Sequence, residues 1–230
     1  MRRSGDGSFT LYSEAYKEHY HSCREGAFSE ALIKHIDPAI RYGHLLGRDR
    51  VRALDICFGL GYNTLVFIWR LRQLGFTGLI EVISPELDTT LLERLRLLPY
   101  PKALSRYLGM IIAVSEGRVY EKEGVRVEVI AGDAARSVPA LTGRFDAIFQ
   151  DPFSPRKNPE LWDAHFFGAL HRLLSDRGVL TTYSQAKGVR RTMRETGFVL
   201  AEHPFDPAGA FRPGTLGFKT LPEGLACLPD

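Results

Sequence analysis

Short apolar runs alternate along the chain with segments of helical spacing. Runs of 4–8 residues rich in Val, Ile, Leu and Phe are typical of buried strands, and they occur at residues 51–58, 78–84, 145–150 and 178–184. Apolar positions with the period of a helix follow at residues 64–75 and 160–174. This alternation predicts an α/β fold: a doubly wound, mostly parallel, seven-stranded sheet with helices on both faces.

Further elements fill the rest of this pattern. Residues 118–130 predict a hairpin inserted around a Lys-Glu-Gly turn. Residues 87–114 predict two helical pieces separated by Pro99 and Pro101. Toward the end we predict a short helix at 189–196, strands at 198–203 and 215–219, and a Pro/Gly loop at 205–214.

The N-terminal fifty residues have a different character. Residues 1–10 show no periodic pattern, and we expect them to be frayed. A helical segment follows, in which Ala27, Phe28, Ala31, Leu32 and His35 share one face and Pro38 ends or kinks the helix. The aromatic side chains before it suggest a flap, which we expect to pack on the core rather than contact a ligand: Tyr12, Tyr16, Tyr20 and His21.

Composition narrows the class of protein. The 230 residues are 44% hydrophobic, so one domain with a sizeable core is expected over 1–230, with an N-terminal segment at 1–50 and the nucleotide-binding type core at 51–220. A net charge of +3 permits a polyanionic partner without requiring one. Three scattered cysteines without a CxxC favour a reducing cytoplasm and argue against a zinc site. No apolar run predicts a membrane span or a signal peptide.

A glycine loop marks the first candidate site. Gly59 and Gly61 lie directly between a predicted strand and a predicted helix, where the backbone turns sharply and helix N–H groups face a ligand. No GK[ST] follows, and position 64 is Thr, so neither a P-loop nor the full dinucleotide motif is present. Glu86, just past the next strand, is placed to accept hydrogen bonds from both hydroxyls of a ribose.

Two more strand ends carry acids. Asp133 could recognise an adenine amino group or cap the following helix. Asp151 and Phe153 end the strand at 145–150, at the sheet edge where ligands bind in open α/β folds. Prolines 152, 155 and 159 stiffen the loop that follows and exclude a helix until about residue 160.

The order of these motifs resembles class I S-adenosylmethionine-dependent methyltransferases, which are Rossmann-like. CFGLGYN at 57–63 and DPFSPRKNPELW at 151–162 resemble, more narrowly, the methyltransferase of tRNA 5-methylaminomethyl-2-thiouridine biosynthesis. EHYHS, VISPE and AKGVRRTMRETGF resemble further segments of that family, so that the resemblance covers about residues 12–203. Leu60 and Pro152 depart from the family pattern, and residues 210–218 lack its basic run.

The resemblance implies methylation of the 5-aminomethyl amine of a wobble uridine in the tRNA anticodon loop. S-adenosylmethionine would be the co-substrate, with no metal and no FAD, and partner enzymes would install the aminomethyl group. The implied cofactor-binding residues are Asp55, Gly59, Gly61, Asn63, Glu86, Asp133, Ala134 and Asp151. Asp151 would orient the amine, and Phe153 would present its ring to the sulfonium or to the uracil.

Basic residues are the candidates for contacts with tRNA phosphates. They are Arg156 and Lys157, beside Pro155, together with Arg190, Arg191 and Arg194. Two alternatives stay open. One is an aminopropyl transferase of the polyamine-synthase type, which would need further acids for a polycationic substrate. The other is a nucleoside- or tRNA-binding protein without turnover.

Overall fold

The computed structural model describes residues 1–202, 212 and 214–229. Many of its strands pair with strands that are distant in the sequence. In chain order they are β1 (Arg2–Arg3), β2 (Phe9–Thr10), β3 (Tyr12–Ser13), β4 (Glu18–His19), β5 (Arg50–Ile56), β6 (Leu79–Glu86), β7 (Val119–Lys122), β8 (Val125–Ala131), β9 (Phe145–Gln150), β10 (Leu174–Thr182), β11 (Val199–Glu202) and β12 (Thr215–Phe218).

Eight of these strands form the central sheet, in the order β11-β12-β10-β9-β5-β6-β8-β7. The five strands from β10 to β8 run parallel, while β12 and β7 are antiparallel to their neighbours. The predicted mostly parallel α/β sheet is therefore confirmed, and the first arm of the predicted hairpin adds an eighth strand at one edge. The predicted Pro/Gly loop falls largely on residues 203–211 and 213, outside the described residues.

Helices connect these strands. They are α1 (Ala27–Glu30), α2 (Asp37–Tyr42), α3 (Tyr62–Gln73), α4 (Thr89–Arg94), α5 (Leu108–Gly117), α6 (Ala134–Ala140), α7 (Ala164–Leu173) and α8 (Lys187–Glu195). A π-helical stretch, Ala31–Ile36, joins α1 to α2, and short 3-10 turns lie at Leu45–Gly47, Leu95–Leu97, Lys102–Tyr107 and Pro159–Leu161. The helix predicted from residue 160 begins at Ala164, because the carboxylate of Asp163 accepts the N–H of Phe166 and caps it there.

Alternate residues of each central strand point into different cores. On β5 and β9, Ala53 and Phe149 join the core formed with α1, α2, α3 and α5, whereas Leu54 and Ile148 join the core formed with α6, α7 and α8. Apolar residues on both faces explain why these strands read as continuous hydrophobic runs. In the described part of the chain, no helix has the length and apolar character needed to cross a bilayer.

One expectation about the N-terminal region was wrong, and of the two effects expected for Pro38, an end or a kink, the structure excludes the first. Residues 1–10 are not frayed, because β1 pairs with β2 and the hydroxyl of Ser8 accepts the N–H of Ala27, at the start of α1, at 2.9 Å. Pro38 does not end the helix, which continues as α2 to Tyr42. The π-helical stretch ends at Ile36, two residues before this proline, whose missing N–H already interrupts the regular hydrogen-bond ladder.

Candidate active site

A cavity of about 810 Å³ lies at the carboxyl edge of the parallel strands, within the size range of small-molecule sites. The loops after β5, β6, β8 and β9 form its walls, and the segment around β3 and β4 covers it. The predicted site residues on its lining are Gly59, Asn63, Glu86, Asp133, Ala134, Asp151 and Phe153. Parallel strands ending at one edge bring these distant positions together, as their places in the sequence predict.

The glycine loop and Glu86 form one wall of this cavity. Gly59 has φ +53°, and its N–H donates to Glu86 Oε2 at 2.8 Å, while the N–H of Asp88 donates to Oε1 at 2.8 Å. Burial raises the pKa of Glu86, and these two N–H groups oppose the rise. Both carboxylate oxygens keep lone pairs for the hydroxyls of a ribose.

Gly61 plays a different part in the loop. It has φ +73° and lies against Phe58 and Ile111, where an added Cβ would come 3.1 Å from both side chains. It is not among the residues that line the cavity. Gly61 therefore shapes the turn into α3 rather than the ligand-facing surface.

Asp55 lies beneath the cavity floor rather than on it. Its side chain is fully buried and accepts the hydroxyl of Thr64 at 2.7 Å and the amide of Asn63 at 3.4 Å. Burial is the main reason that the pKa of Asp55 is raised to about 7. Asp55 is therefore not on the cavity surface, where the predicted cofactor contact would require it, and the side chain of Asn63, which does line the cavity, contacts it.

Asp151 is held from two sides at the end of β9. The amide of Asn63 donates to Oδ2 at 2.8 Å, and Nε2 of His35 lies 3.5 Å from Oδ1. Burial would raise the pKa of Asp151, but the neighbouring histidines, His35 first among them, and the Asn63 amide outweigh it, so that the pKa lies below its ordinary value. This carboxylate is therefore ionised at neutral pH.

His35 was missed as a site residue in the sequence. Its Nδ1 lies 3.0 Å from the hydroxyl of Thr181 on β10, and its side chain is fully buried. We expected His35 on the apolar face of a helix, which is where it lies. A histidine on an otherwise apolar face was the available signal, but only the fold places it beside Asp151.

The aromatic flap lies over the cavity and against Phe153. Tyr16 stacks on the Phe153 ring at 4.4 Å, and Tyr20 packs against it at 5.0 Å. Glu18 accepts both the N–H of Ser154, at 3.1 Å, and its hydroxyl, at 2.5 Å. The flap therefore packs on the loop after β9 and lines the cavity, so that its position is more ligand-facing than we expected.

Asp133 and the loop cations occupy different surroundings. Asp133 caps α6 by accepting the N–H of Ala135 at 2.8 Å, and it also lines the cavity. Both functions that we considered for this carboxylate are thus compatible with its place. Pro155, Arg156 and Lys157 do not line the cavity; the two cations are exposed on its outer side.

The arginines of α8 divide into two kinds. Arg190 donates to Thr215 and to Glu202, each at 2.9 Å, and Arg194 donates to the carbonyl oxygens of Leu228 and Pro229. These contacts stabilise the packing of α8 against the end of the chain. Arg191 is exposed, with Glu195 3.8 Å away, so that of these three arginines it remains the candidate for a phosphate contact.

Comparison with known proteins agrees with this arrangement. The family described as S-adenosyl-L-methionine-dependent methyltransferase matches residues 100–219, more than half of the chain. The crystal structure of MnmC2 from Aquifex aeolicus superposes with a TM-score of 0.86 at 31% identity, covering 96% of this chain and 70% of that one. The chain belongs to the MnmC2 family of S-adenosyl-L-methionine-dependent methyltransferases.

Other relatives of this MnmC2-family chain are longer. An uncharacterized protein of Methanocaldococcus jannaschii is 28% identical over 93% of this chain and 58% of its own length. The tRNA 5-methylaminomethyl-2-thiouridine biosynthesis bifunctional protein MnmC of Azoarcus sp. is 33% identical over 85% of this chain. This chain spans only 32% of that bifunctional protein.

The residues of the cavity fit the co-substrate of the MnmC2 family, S-adenosylmethionine. Asn63 Oδ1 is buried without a hydrogen-bond partner among the described residues, which leaves an acceptor for a bound ligand. Glu86 offers acceptors to ribose hydroxyls, and Asp133 lies at the strand end where an adenine amino group would be met. Across the described ranges, no group of His, Cys, Asp and Glu side chains is arranged to hold a metal ion.

Proposed function

We propose that this protein transfers a methyl group from S-adenosylmethionine to the primary amine of 5-aminomethyluridine, or its 2-thio form, at the wobble position of tRNA. The observation that carries the proposal is the position of Asp151: its carboxylate lines the cavity where a ligand amine would enter and is held by Asn63 and His35. The name of the bifunctional MnmC relatives supports the product, 5-methylaminomethyl-2-thiouridine. The match to MnmC2 supports the methyl-transfer half of that chemistry.

The reacting amine must be neutral to act as a nucleophile. A simple alkyl amine has a pKa of ~10, so that only on the order of a thousandth is neutral at pH 7. An ionised carboxylate would raise that pKa further, which makes orientation the first role of Asp151. Accepting an amine N–H aims the nitrogen lone pair away from the carboxylate, and alignment of this kind can supply ~7–11 kcal/mol.

Bound S-adenosylmethionine supplies an electrophilic methyl group on a sulfonium. The amine lone pair forms the new N–C bond as the C–S bond breaks, with the bonding electrons left on sulfur. The resulting secondary ammonium loses one proton, and we assign the carboxylate of Asp151, on the cavity lining, as its acceptor. The face of Phe153, already stacked against Tyr16, provides an aromatic surface for the uracil ring or the sulfonium.

Acidic side chains on the cavity walls suit a cationic group. Besides Asp151, the lining includes Glu18, Glu30, Glu86, Asp88, Asp133 and Glu160. The aminopropyl-transferase alternative would need further acids to bind a polycationic substrate. The cavity does contain them, on the flap, on α1 and on the loops. An aminomethyl group satisfies the same carboxylates, and the relatives favour tRNA methylation over the polyamine alternative.

The phosphates of a tRNA substrate suit the basic outer surface, whereas only the target base would enter the acidic cavity. Arg156, Lys157 and Arg191 are exposed cations outside the acidic interior, where anticodon-loop phosphates would lie while one splayed base enters. The proposed partners are therefore the tRNA anticodon loop and the enzymes that install the aminomethyl group. Acting on tRNA would place the protein in the cytoplasm.

Methyl transfer to defined acceptors tests this function. S-adenosylmethionine labelled in its methyl group would be offered with tRNA that carries the aminomethyl group but lacks the final methyl group, with an unmodified transcript, and with putrescine. The proposal predicts label only in the aminomethylated tRNA, located at the wobble uridine by nucleoside analysis. A parallel reaction would offer putrescine with decarboxylated S-adenosylmethionine labelled in its aminopropyl group, and label in the polyamine product would support the aminopropyl-transferase alternative. Cofactor binding without transfer to any acceptor would support a binding protein.

A further inference from the structure

His35 lies between two polar groups in the interior of the protein. Its Nδ1 is 3.0 Å from Thr181 Oγ1, on β10, and its Nε2 is 3.5 Å from Asp151 Oδ1, after β9. The imidazole is fully buried, with the ring of Phe149 6.3 Å away. Three separate elements thus meet at a single side chain.

The Nε2 atom of His35 has no hydrogen-bond partner of ordinary geometry among the described residues. Buried polar atoms are nearly always paired, and exceptions call for a functional reason. Hydrogen bonds between catalytic groups are often long before substrate binds and tighten in the complex. The 3.5 Å contact with Asp151 is of this kind.

The backbone around His35 is also irregular. His35 belongs to the π-helical stretch Ala31–Ile36, a conformation found frequently at functional sites. The adjacent Lys34 is buried as well and pairs with Glu25 and Glu30, at 2.5 and 3.1 Å. These pairs anchor the stretch, so that the histidine has little freedom to move away from Asp151.

The tautomer of His35 follows from its partners. An imidazolium carries a proton on each ring nitrogen, so that Nε2 bears a hydrogen in that form, whereas a neutral imidazole carries a proton on only one of them. If Thr181 donates its hydroxyl to Nδ1, then Nε2 bears the hydrogen and points it at the carboxylate. In the other tautomer, a lone pair would face an ionised Asp151 inside the protein, which is unfavourable.

We propose that His35, fixed by Thr181, is the positioning residue that orients Asp151 toward the amine acceptor. The nature of the acceptor rests on the proposed function, but the contact between the two side chains does not. With Asn63 on Oδ2 and His35 on Oδ1, both carboxylate oxygens have their directions set before a substrate arrives. Such preorganisation is what in-line attack requires.

Other groups also influence the titration of Asp151. Those that face it are on several elements: His35, His21, Asp55, Cys57 and Tyr183. Removing His35 leaves the acids and takes away an interaction that favours the carboxylate. The acid limb of the pH–rate profile should therefore move to higher pH when His35 is replaced.

Two substitutions of His35 separate positioning from packing. In His35→Asn, the amide can replace Nδ1 beside Thr181 but cannot reach Asp151, and we expect kcat to fall by about a hundredfold. In His35→Gln, the amide N–H can reach the place of Nε2, and kcat should largely recover. Thr181→Val should give an intermediate loss of kcat. Thr182→Val, which removes a buried hydroxyl from the same strand, is the control and should keep the wild-type pH profile.

The affinity for S-adenosylhomocysteine and the melting temperature show whether a loss of kcat comes from misplaced Asp151 or from general damage to the fold. The proposal predicts that both stay near wild type in His35→Asn while kcat falls. Equal losses in His35→Asn and His35→Gln, accompanied by loss of binding or of stability, would show a purely structural residue. Wild-type kcat and pH profile in both variants would also overturn the proposal.

Nitrogen NMR of the imidazole gives a readout that needs no methyl acceptor. The proposal predicts the Nε2–H tautomer for His35 and a change in its Nε2 shift in Asp151→Asn, but not in Asp176→Asn, a substitution of an exposed acid. This result would stand even if no tRNA were methylated, so failure of the proposed function is distinguishable. The opposite tautomer, or an Nε2 shift insensitive to Asp151, would contradict the positioning role.

Discussion

The side-chain amide of Asn63 donates to Asp151 across 2.8 Å, linking the first turn of α3 to the end of β9. The same amide lies 3.4 Å from Asp55, so that a fully buried carboxylate and one on the cavity lining share one donor. Buried acids this close cannot both ionise without cost. Asp151, with His35 beside it, keeps the negative charge, and Asp55 retains its proton to higher pH.

Asp55 should give the stability of the protein a distinctive pH dependence. Its folded-state pKa is raised to about 7, above the unfolded value of ~3.9. The folded state therefore binds more protons than the unfolded state between these values, and this group's contribution to stability falls as pH rises, by up to ~1.4 kcal/mol per pH unit. In urea unfolding from pH 4 to 8, the free energy of unfolding should fall less steeply with pH in Asp55→Asn than in the wild type. Only the slopes against pH are compared, because Asn also alters the hydrogen bond to Thr64. Identical slopes would contradict this protonation state.

Glu86 should be required for binding the co-substrate. Both of its oxygens accept backbone N–H groups, from Gly59 and Asp88, so Glu86→Gln turns an NH₂ toward one of these donors. A lost hydrogen bond at a buried site costs ~1–3 kcal/mol, and we expect the Kd for S-adenosylhomocysteine to rise at least tenfold by calorimetry. Glu93→Gln, an exposed acid on α4, is the control. An unchanged Kd in Glu86→Gln would remove Glu86 from the ribose role.

Phe153 should contribute to tRNA binding through ring stacking. Loss of an aromatic platform costs ~1–3 kcal/mol per stacked base, so Phe153→Ala should raise the KM for tRNA while Phe153→Tyr remains close to wild type. Because Tyr16 and Tyr20 pack on this ring, the flap should also become more accessible to proteolysis. A KM change for S-adenosylmethionine alone would assign the ring to the sulfonium instead.

The exposed cations should determine the salt dependence of tRNA binding. Each true phosphate contact contributes ~0.7 to the slope of log K against log salt on single-stranded regions. Arg156→Ala and Lys157→Ala should each reduce the slope by about that amount. Arg191→Ala tests α8 in the same titration, and unchanged slope and affinity would exclude it from the interface.

Arg190 provides the contrast to these cations. It is bound to Thr215 and Glu202, so Arg190→Ala should lower the melting temperature rather than the salt slope. A lowered slope with unchanged stability would show that these internal contacts do not hold the side chain away from tRNA.

The sheet and the strand-end residues were predictable, but the contacts between them were not. β9 has the predicted bounds because a buried parallel strand is a continuous apolar run, and Glu86 and Asp151 meet one cavity because parallel strands end at one edge. The contacts Thr181–His35 and Ser154–Glu18 join residues 146 and 136 positions apart. No local pattern specifies such pairs, since packing alone decides which side of a helix or flap faces the site.

Single-turnover methyl transfer with Asp151→Asn tests the central claim most directly. The acceptor is tRNA with an aminomethylated wobble uridine, and Asp176→Asn, at an exposed position, is the matched control. If Asp151 orients the amine, its loss should slow transfer on the order of 100-fold or more, with tRNA affinity unchanged and the control at the wild-type rate. A wild-type rate of transfer by Asp151→Asn would contradict this role, because the amine would then be aligned without the carboxylate.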